Sequence, residues 1–264
     1  MNAAPSTADQ DAVAPPPWWK LALEARAPFE LGAGLMAGLP LLAASRRGDG
    51  HTVLVFPGMI ASDASTTPLR RWLRALGYDA QGWEQGRNTG PRPDVLDASL
   101  ARIRALRQSS GRKLSLIGQS LGGIYARELA KQAPDDVRLV ITLGTPFGGG
   151  PRSTNAWRLF EMMNGREHGR PLARAAVRQP PPVPTTSIYS RSDGIVAWQC
   201  SVDPDGPQLE AIEVNGSHTG MGVNPLVLHA IADRLALPEG QWAPFERHGL
   251  RRFLYPAPQS AAAA

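Results

Sequence analysis

Short apolar runs alternate with helix-spaced apolar residues along most of the chain. Residues 51–56 read His-Thr-Val-Leu-Val-Phe, a β-branched and largely apolar run that Pro57 and Gly58 end. An uninterrupted run, rather than strict alternation, marks a strand covered on both faces, as in a parallel sheet. Residues 113–117 repeat that signature, 137–143, 185–189 and 209–214 read as further strands, and 78–83 is strand-like. Between these runs the period becomes helical. Leu69, Trp72, Leu73 and Leu76 predict a helix over 67–76, with Thr67 as N-cap, Pro68 in the first turn and Gly77 as the stop. Val95, Leu96, Leu100, Ile103 and Leu106 predict another over 94–106, and helical spacing returns over 121–132 and 225–235. Strands alternating with helices imply right-handed βαβ units and a mostly parallel sheet, which binds its ligand at the carboxyl ends of its strands.

The flanking segments follow other patterns. Residues 1–17 lack a basic start and an apolar run, so they read as a disordered leader rather than a secretory signal, and a cytoplasmic protein is the default expectation. Residues 18–45 form an N-terminal helical extension. Its apolar part, 31–44, is too short to span a bilayer and has Pro28 and Pro40 as breakers, so it reads as a helical hairpin, with peripheral membrane contact left open. The Gly-rich entry and Pro-rich exit of 148–184 bracket two helical pieces, 155–163 and 171–177, which read as a cap insertion in a domain spanning 18–255. Residues 256–264 read as a disordered tail.

Composition narrows the class without naming the chemistry. With 264 residues, 42% hydrophobic and 19% charged, the chain is an ordinary globular protein, neither collagen-like, wholly disordered nor polytopic. The net charge of +5 comes almost wholly from scattered arginines, with no run of like charge, so a nucleic-acid partner is not expected. The single Cys200 reads as a buried small hydrophobe.

The chemistry enters at Gly118-Gln119-Ser120-Leu121-Gly122, a Gly-x-Ser-x-Gly pattern that follows an apolar strand and opens an amphipathic helix. A serine there stands on a turn so tight that side chains two residues either side would clash. Its hydroxyl needs a base to take its proton, and the base needs a third group to fix its tautomer. His218 is the one histidine at the end of a predicted strand downstream of Ser120; His51, His168, His229 and His248 lie elsewhere. Asp193 follows the strand 185–189 at the carboxyl edge, whereas Asp203 and Asp205 sit in an ordinary turn beside Pro204 and Gly206. The oxyanion of an acyl-transfer intermediate would take N–H donors from Leu121 and from the loop after residues 51–56, where Pro57 has none and Met59 does.

These blocks, with Phe56-Pro57-Gly58-Met59, Leu143-Gly144-Thr145-Pro146 and Gly216-Ser217-His218, resemble in content and order the α/β-hydrolase superfamily, and within it bacterial lipases and carboxylesterases. The resemblance runs over about 52–235 and departs at Pro57, where such lipases usually carry His, and at Gln119, also commonly His. It implies an α/β-hydrolase fold, a Ser-His-Asp triad, an acyl-enzyme intermediate, a small-molecule or lipid ester substrate, and no metal or organic cofactor. Trp157, Leu159, Phe160, Met162 and Met163 of the cap would line an acyl pocket. An acyltransferase or thioesterase using the same triad, and a non-catalytic membrane-associated binding protein, are the alternatives.

Overall fold

The computed structural model describes residues 13–90, 92–164, 174–249 and 251–257. Six strands, β1 (Thr52–Phe56), β2 (Asp79–Gly82), β3 (Leu114–Gln119), β4 (Val137–Leu143), β5 (Thr185–Tyr189) and β6 (Leu209–Glu213), form one sheet in the order β2-β1-β3-β4-β5-β6. Every neighbouring pair is parallel. The expected parallel sheet is present because β1, β4 and β5 are buried on both faces along their whole length.

Helices cover the two faces. On one lie α2 (Asp63–Leu76) and α7 (Pro225–Leu235), whose Leu69, Leu73, Val227 and Ile231 pack on Val53, Val55, Ile141 and Ile212. On the other lie α3 (Pro93–Ser110) and α4 (Leu121–Gln132), whose Val95, Ile103, Tyr125 and Leu129 pack on Leu54, Phe56, Leu116 and Val140. The period of two along each strand thus feeds two separate cores. Strand order reverses between β1 and β3, so the loops after these two strands open a crevice at the carboxyl edge.

Among the departures from the sequence reading, three bear on the packing. Helix α2 begins at Asp63, not at residue 67, and Pro68 lies inside it. The Asp63 carboxylate accepts the Trp83 and Glu84 N–H groups, both at 3.0 Å, and so fixes the helix start against the end of β2. Helix α3 continues past Leu106 to Ser110, where Gly111 in left-handed conformation closes it. Residues 31–44 do not form a hairpin. A 3₁₀ helix, Trp18–Arg26, runs directly into the single helix α1, Ala27–Ala44. Pro28 falls in the first turn, where no intrahelical donor is needed. Pro40 forfeits one bond near the far end, and Leu41 and Leu42 hold the last turn against α7's core.

The insertion contains α5 (Trp157–Asn164) and α6 (Arg174–Arg178), between which 165–173 lie outside the described residues. Its entry is tied to the loop after β5: Thr154 bridges to Val196, and the Asn155 N–H donates to the Ile195 carbonyl at 2.8 Å. Of the segment read as a leader, 1–12 lie outside the described residues, whereas Val13 packs beside Val196, Ala197 and Cys200. The short α8 (Arg251–Leu254) follows α7, and 258–264 of the tail also lie outside the described residues.

Candidate active site

Ser120 stands between β3 and α4 at φ 51° and ψ −122°, backbone geometry that a non-glycine residue adopts only under constraint. The constraint is visible on all sides. A Cβ on Gly118 would collide with the backbone of Gly122 and Gly123, and one on Gly122 with the Phe56 and Pro57 carbonyls. The Ser120 N–H donates to the Leu143 carbonyl at 2.8 Å, and its own carbonyl accepts the Gly123 N–H at 2.9 Å. The turn lifts Ser120 to the rim of the sheet, partly exposed, while the strand beneath it is buried.

His218 lies in the loop after β6 and Asp193 in the loop after β5, both buried. His218 Nδ1 meets Asp193 Oδ2 at 2.7 Å, and Asp193 Oδ1 accepts the Ile195 and Val196 N–H groups at 2.7 and 2.8 Å. With Asp193 ionised, these bonds make Nδ1 the protonated nitrogen and leave Nε2 as the proton acceptor. Burial pulls the imidazole pKa down, but the Asp193 charge and hydrogen bond, with Glu24 beside them, outweigh it and raise the value above its ordinary 6.5.

The loops after β3, β4, β5 and β6 converge. Gln119 Nε2 donates to the His218 carbonyl at 3.1 Å, tying the residue before Ser120 to the histidine loop. Gly144, at φ 54°, passes so close that a Cβ on it would lie 3.0 Å from His218 Nδ1 and 3.2 Å from Asp193 Oδ2. The loop after β1 closes the group, since a Cβ on Gly58 would sit 3.6 Å from Ser120 Cβ. Met59 follows Gly58 in this loop, and among the described residues its N–H meets no acceptor. Leu121 is the first residue of α4, so its N–H has no intrahelical partner.

The other candidates lie elsewhere. Asp203 does more than serve a turn: it makes a buried two-pronged ion pair with Arg127, both contacts at 2.8 Å. His229 packs against Phe245 and Tyr255, and His168 lies outside the described residues. His51 belongs to a Ser-His-Asp chain of its own, bonding Asp49 at 2.5 Å and Ser115 at 2.7 Å. That chain sits at the amino edge of the sheet with Ser115 and His51 fully buried. Burial there, with the Arg138 charge, holds the His51 pKa below 6.5 despite the pull of Asp49. Ser120 differs from Ser115 in being partly exposed and at the carboxyl edge of the sheet.

Three residues around the site were not foreseen. Glu24, in the 3₁₀ helix, accepts the Gly194 and His218 N–H groups at 2.9 and 3.0 Å through Oε1, and the Thr219 N–H at 3.0 Å through Oε2. Glu30, in α1, accepts the Ser217 N–H at 2.8 Å and its hydroxyl at 2.5 Å. The N-terminal extension thus grips both loops that carry Asp193 and His218. Asn88, fully buried, donates to the Pro57 carbonyl at 2.8 Å, while its own carbonyl accepts the Ile60 N–H at 2.7 Å. It pins the Met59 loop and holds Ile60 at φ 65°, which a β-branched side chain resists.

No family model and no curated protein matches the sequence. Solved structures match it in three dimensions. Aspergillus fumigatus lipase B is similar at a TM-score of 0.56 with 19% identity, over 71% of this chain and 52% of that one; the chain thus spans about half of that lipase. An α/β superfamily hydrolase from Oenococcus oeni PSU-1 is similar at 0.53 and 16% identity, over 73% and 93% of the two chains. The Paleococcus ferrophilus monoacylglycerol lipase is similar at 0.51 and 15%, over 72% and 95%. The chain has the α/β-hydrolase fold.

Proposed function

We propose that the protein is a serine hydrolase of carboxylic esters, with Ser120 as nucleophile, His218 as general base and Asp193 as the group that orients the base. The observation that carries this reading is the convergence, at one edge of the sheet, of the turn that bears a strained and partly exposed serine with the loop of a histidine whose Nδ1 is held by a fully bonded carboxylate. The neighbours of this fold named as lipases favour an ester over other acyl substrates.

Ser120 Oγ attacks the ester carbonyl carbon while His218 Nε2 takes the hydroxyl proton, giving a tetrahedral oxyanion. Asp193 stabilises the imidazolium so formed. The Met59 and Leu121 N–H groups receive the oxyanion, each such donor typically contributing about 3 kcal/mol of transition-state stabilisation. His218 then returns the proton to the leaving alcohol, and the acyl group stays on Ser120. Water, deprotonated by the same histidine, releases the acid. The reading assigns the acyl chain to the insertion, whose Trp157 and Phe160 are half-buried.

The test is hydrolysis of a p-nitrophenyl ester series by the wild type and by Ser120→Ala. The reading expects turnover of at least one chain length, lost by on the order of 10⁴-fold or more in the variant with its circular dichroism unchanged. Absence of turnover across the series, or equal turnover by Ser120→Ala, would overturn it.

A further inference from the structure

From Pro15 to Ala44 the chain contains only Pro, Ala, Trp, Leu, Phe, Gly and Met besides four ionic side chains. All four of these turn inward. Lys20 donates to the Arg191 carbonyl at 2.7 Å and Arg26 to the Ser192 hydroxyl at 2.6 Å. Glu24 and Glu30 hold the histidine loop as described. The outward side is therefore apolar throughout, and Trp18, Phe29, Leu35, Met36 and Leu39 are each 72–84% exposed. An ordinary surface helix does the reverse, burying its apolar stripe and presenting its charges to water. The 3₁₀ helix and α1 are inside out.

We propose that this segment is a bilayer-docking arm, whose outward side seats in the interfacial layer of a lipid membrane while its inward carboxylates stay on the loops of Asp193 and His218. Three observations favour lipid as the occupant. A protein interface surrounds its apolar centre with a polar rim and carries about one hydrogen bond per 100–200 Å², but this face offers no outward side-chain donor or acceptor apart from the Trp18 and Trp19 indoles. Those indoles, one end apolar and the other a hydrogen-bond donor, suit the headgroup boundary. Beyond α1 stands the exposed Arg46, which complements an anionic leaflet.

The arm lies on the membrane rather than through it. Trp18–Ala44 is long and apolar enough to cross a bilayer, but crossing would strip Glu24 and Glu30 from the Gly194, Ser217, His218 and Thr219 donors and carry both carboxylates into hydrocarbon. The docking stands independently of the Ser120 chemistry.

The experiment is flotation of the full chain with phosphatidylcholine vesicles, with and without phosphatidylglycerol. The wild type and Ser120→Ala are expected to float alike, more completely on the anionic vesicles, and to be released by carbonate washing. Combined Phe29→Ser, Leu35→Ser, Met36→Ser and Leu39→Ser is expected to abolish flotation, with its circular dichroism unchanged. Should that variant misfold, quenching of tryptophan fluorescence by brominated lipid reports on the intact protein, and is expected to be lost in Trp18→Phe/Trp19→Phe. A wild type that stays free of both vesicle types overturns the proposal. So does resistance to carbonate, which means a spanning helix, or a dimer that the four serines dissociate, which means that a second copy covers the face. Because Ser120→Ala is scored for flotation alone, a failure of the hydrolase reading would leave this result unaffected.

Discussion

Asp193 has both carboxylate oxygens in fixed contacts, and the chemistry depends on which faces which. In Asp193→Asn the remaining carbonyl keeps the Ile195 and Val196 donors, so the amide NH₂ must face His218 Nδ1. The histidine then accepts at Nδ1 and carries its proton on Nε2, where it cannot take one from Ser120. A fall in kcat on the order of 10⁴-fold with little change in KM is expected, as steady-state kinetics would register. The pH profile follows from the same pair. The proposed base works unprotonated, and Asp193 and Glu24 raise its pKa, so the acid limb of kcat/KM is expected on the high-pH side of an ordinary histidine's. Glu24→Gln removes one of the raising charges and weakens the grip on the loop: the limb moves to lower pH and kcat falls. A purely structural role for Glu24 would lower activity without moving the limb.

At the scale of elements, the site consists of loops held by distant segments. Asn88→Ala would free the Pro57–Gly58–Met59 turn and leave a buried carbonyl without its donor, at a cost of about 1–3 kcal/mol. The account expects kcat to fall more than KM rises, since the Met59 donor serves the oxyanion and not the ground-state ester; a rise in KM alone would contradict it. Gly144→Ala is the sharper probe, because a methyl at φ 54° would press on both His218 and Asp193. How much of this was legible in the sequence depended on the range of the forces. Strands such as β1 and β4 were readable because two-sided burial favours apolar side chains along them, and Ser120, Asp193 and His218 could be named as candidates because each lies in the turn or loop that follows a predicted strand. Glu24, Glu30 and Asn88 were not, since their partners lie 170, 187 and 31 residues away and leave no local period. A signal was present all the same: carboxylates in an otherwise apolar stretch need an inward partner. The start of α2 escapes the local pattern for the same reason, as Asp63 is capped onto the end of β2 rather than by its own neighbours.

For the molecule as a whole, charge burial sets how the fold responds to mutation and pH. Arg127 and Asp203 are both buried, so Asp203→Ala leaves an unpaired cation in the core and should lower stability by about 3–5 kcal/mol in chemical denaturation. Activity measured well below its melting temperature should persist, which separates this carboxylate from Asp193. At the amino edge, His51 is held neutral by burial, its pKa depressed in the fold. Unfolding restores the ordinary value, so the unfolded chain binds more protons as the pH drops below about 6.5, and stability falls with it. Asp49, whose pKa the Arg138 and His51 bonds lower in spite of burial, adds stability above 3.8 that is lost on further acidification. His218 acts in the opposite direction, adding stability below 6.5 that is lost as the pH rises through its raised value. Denaturant midpoints across pH 4–8 should therefore show an acid slope that His51→Gln reduces. The catalytic assignment itself is tested most directly by reacting the folded protein with a fluorophosphonate and mapping the adduct by peptide mass. The account predicts one label per chain on Ser120, absent from Ser120→Ala and strongly slowed in His218→Ala. An unlabelled wild type, or a label on another residue, would contradict it.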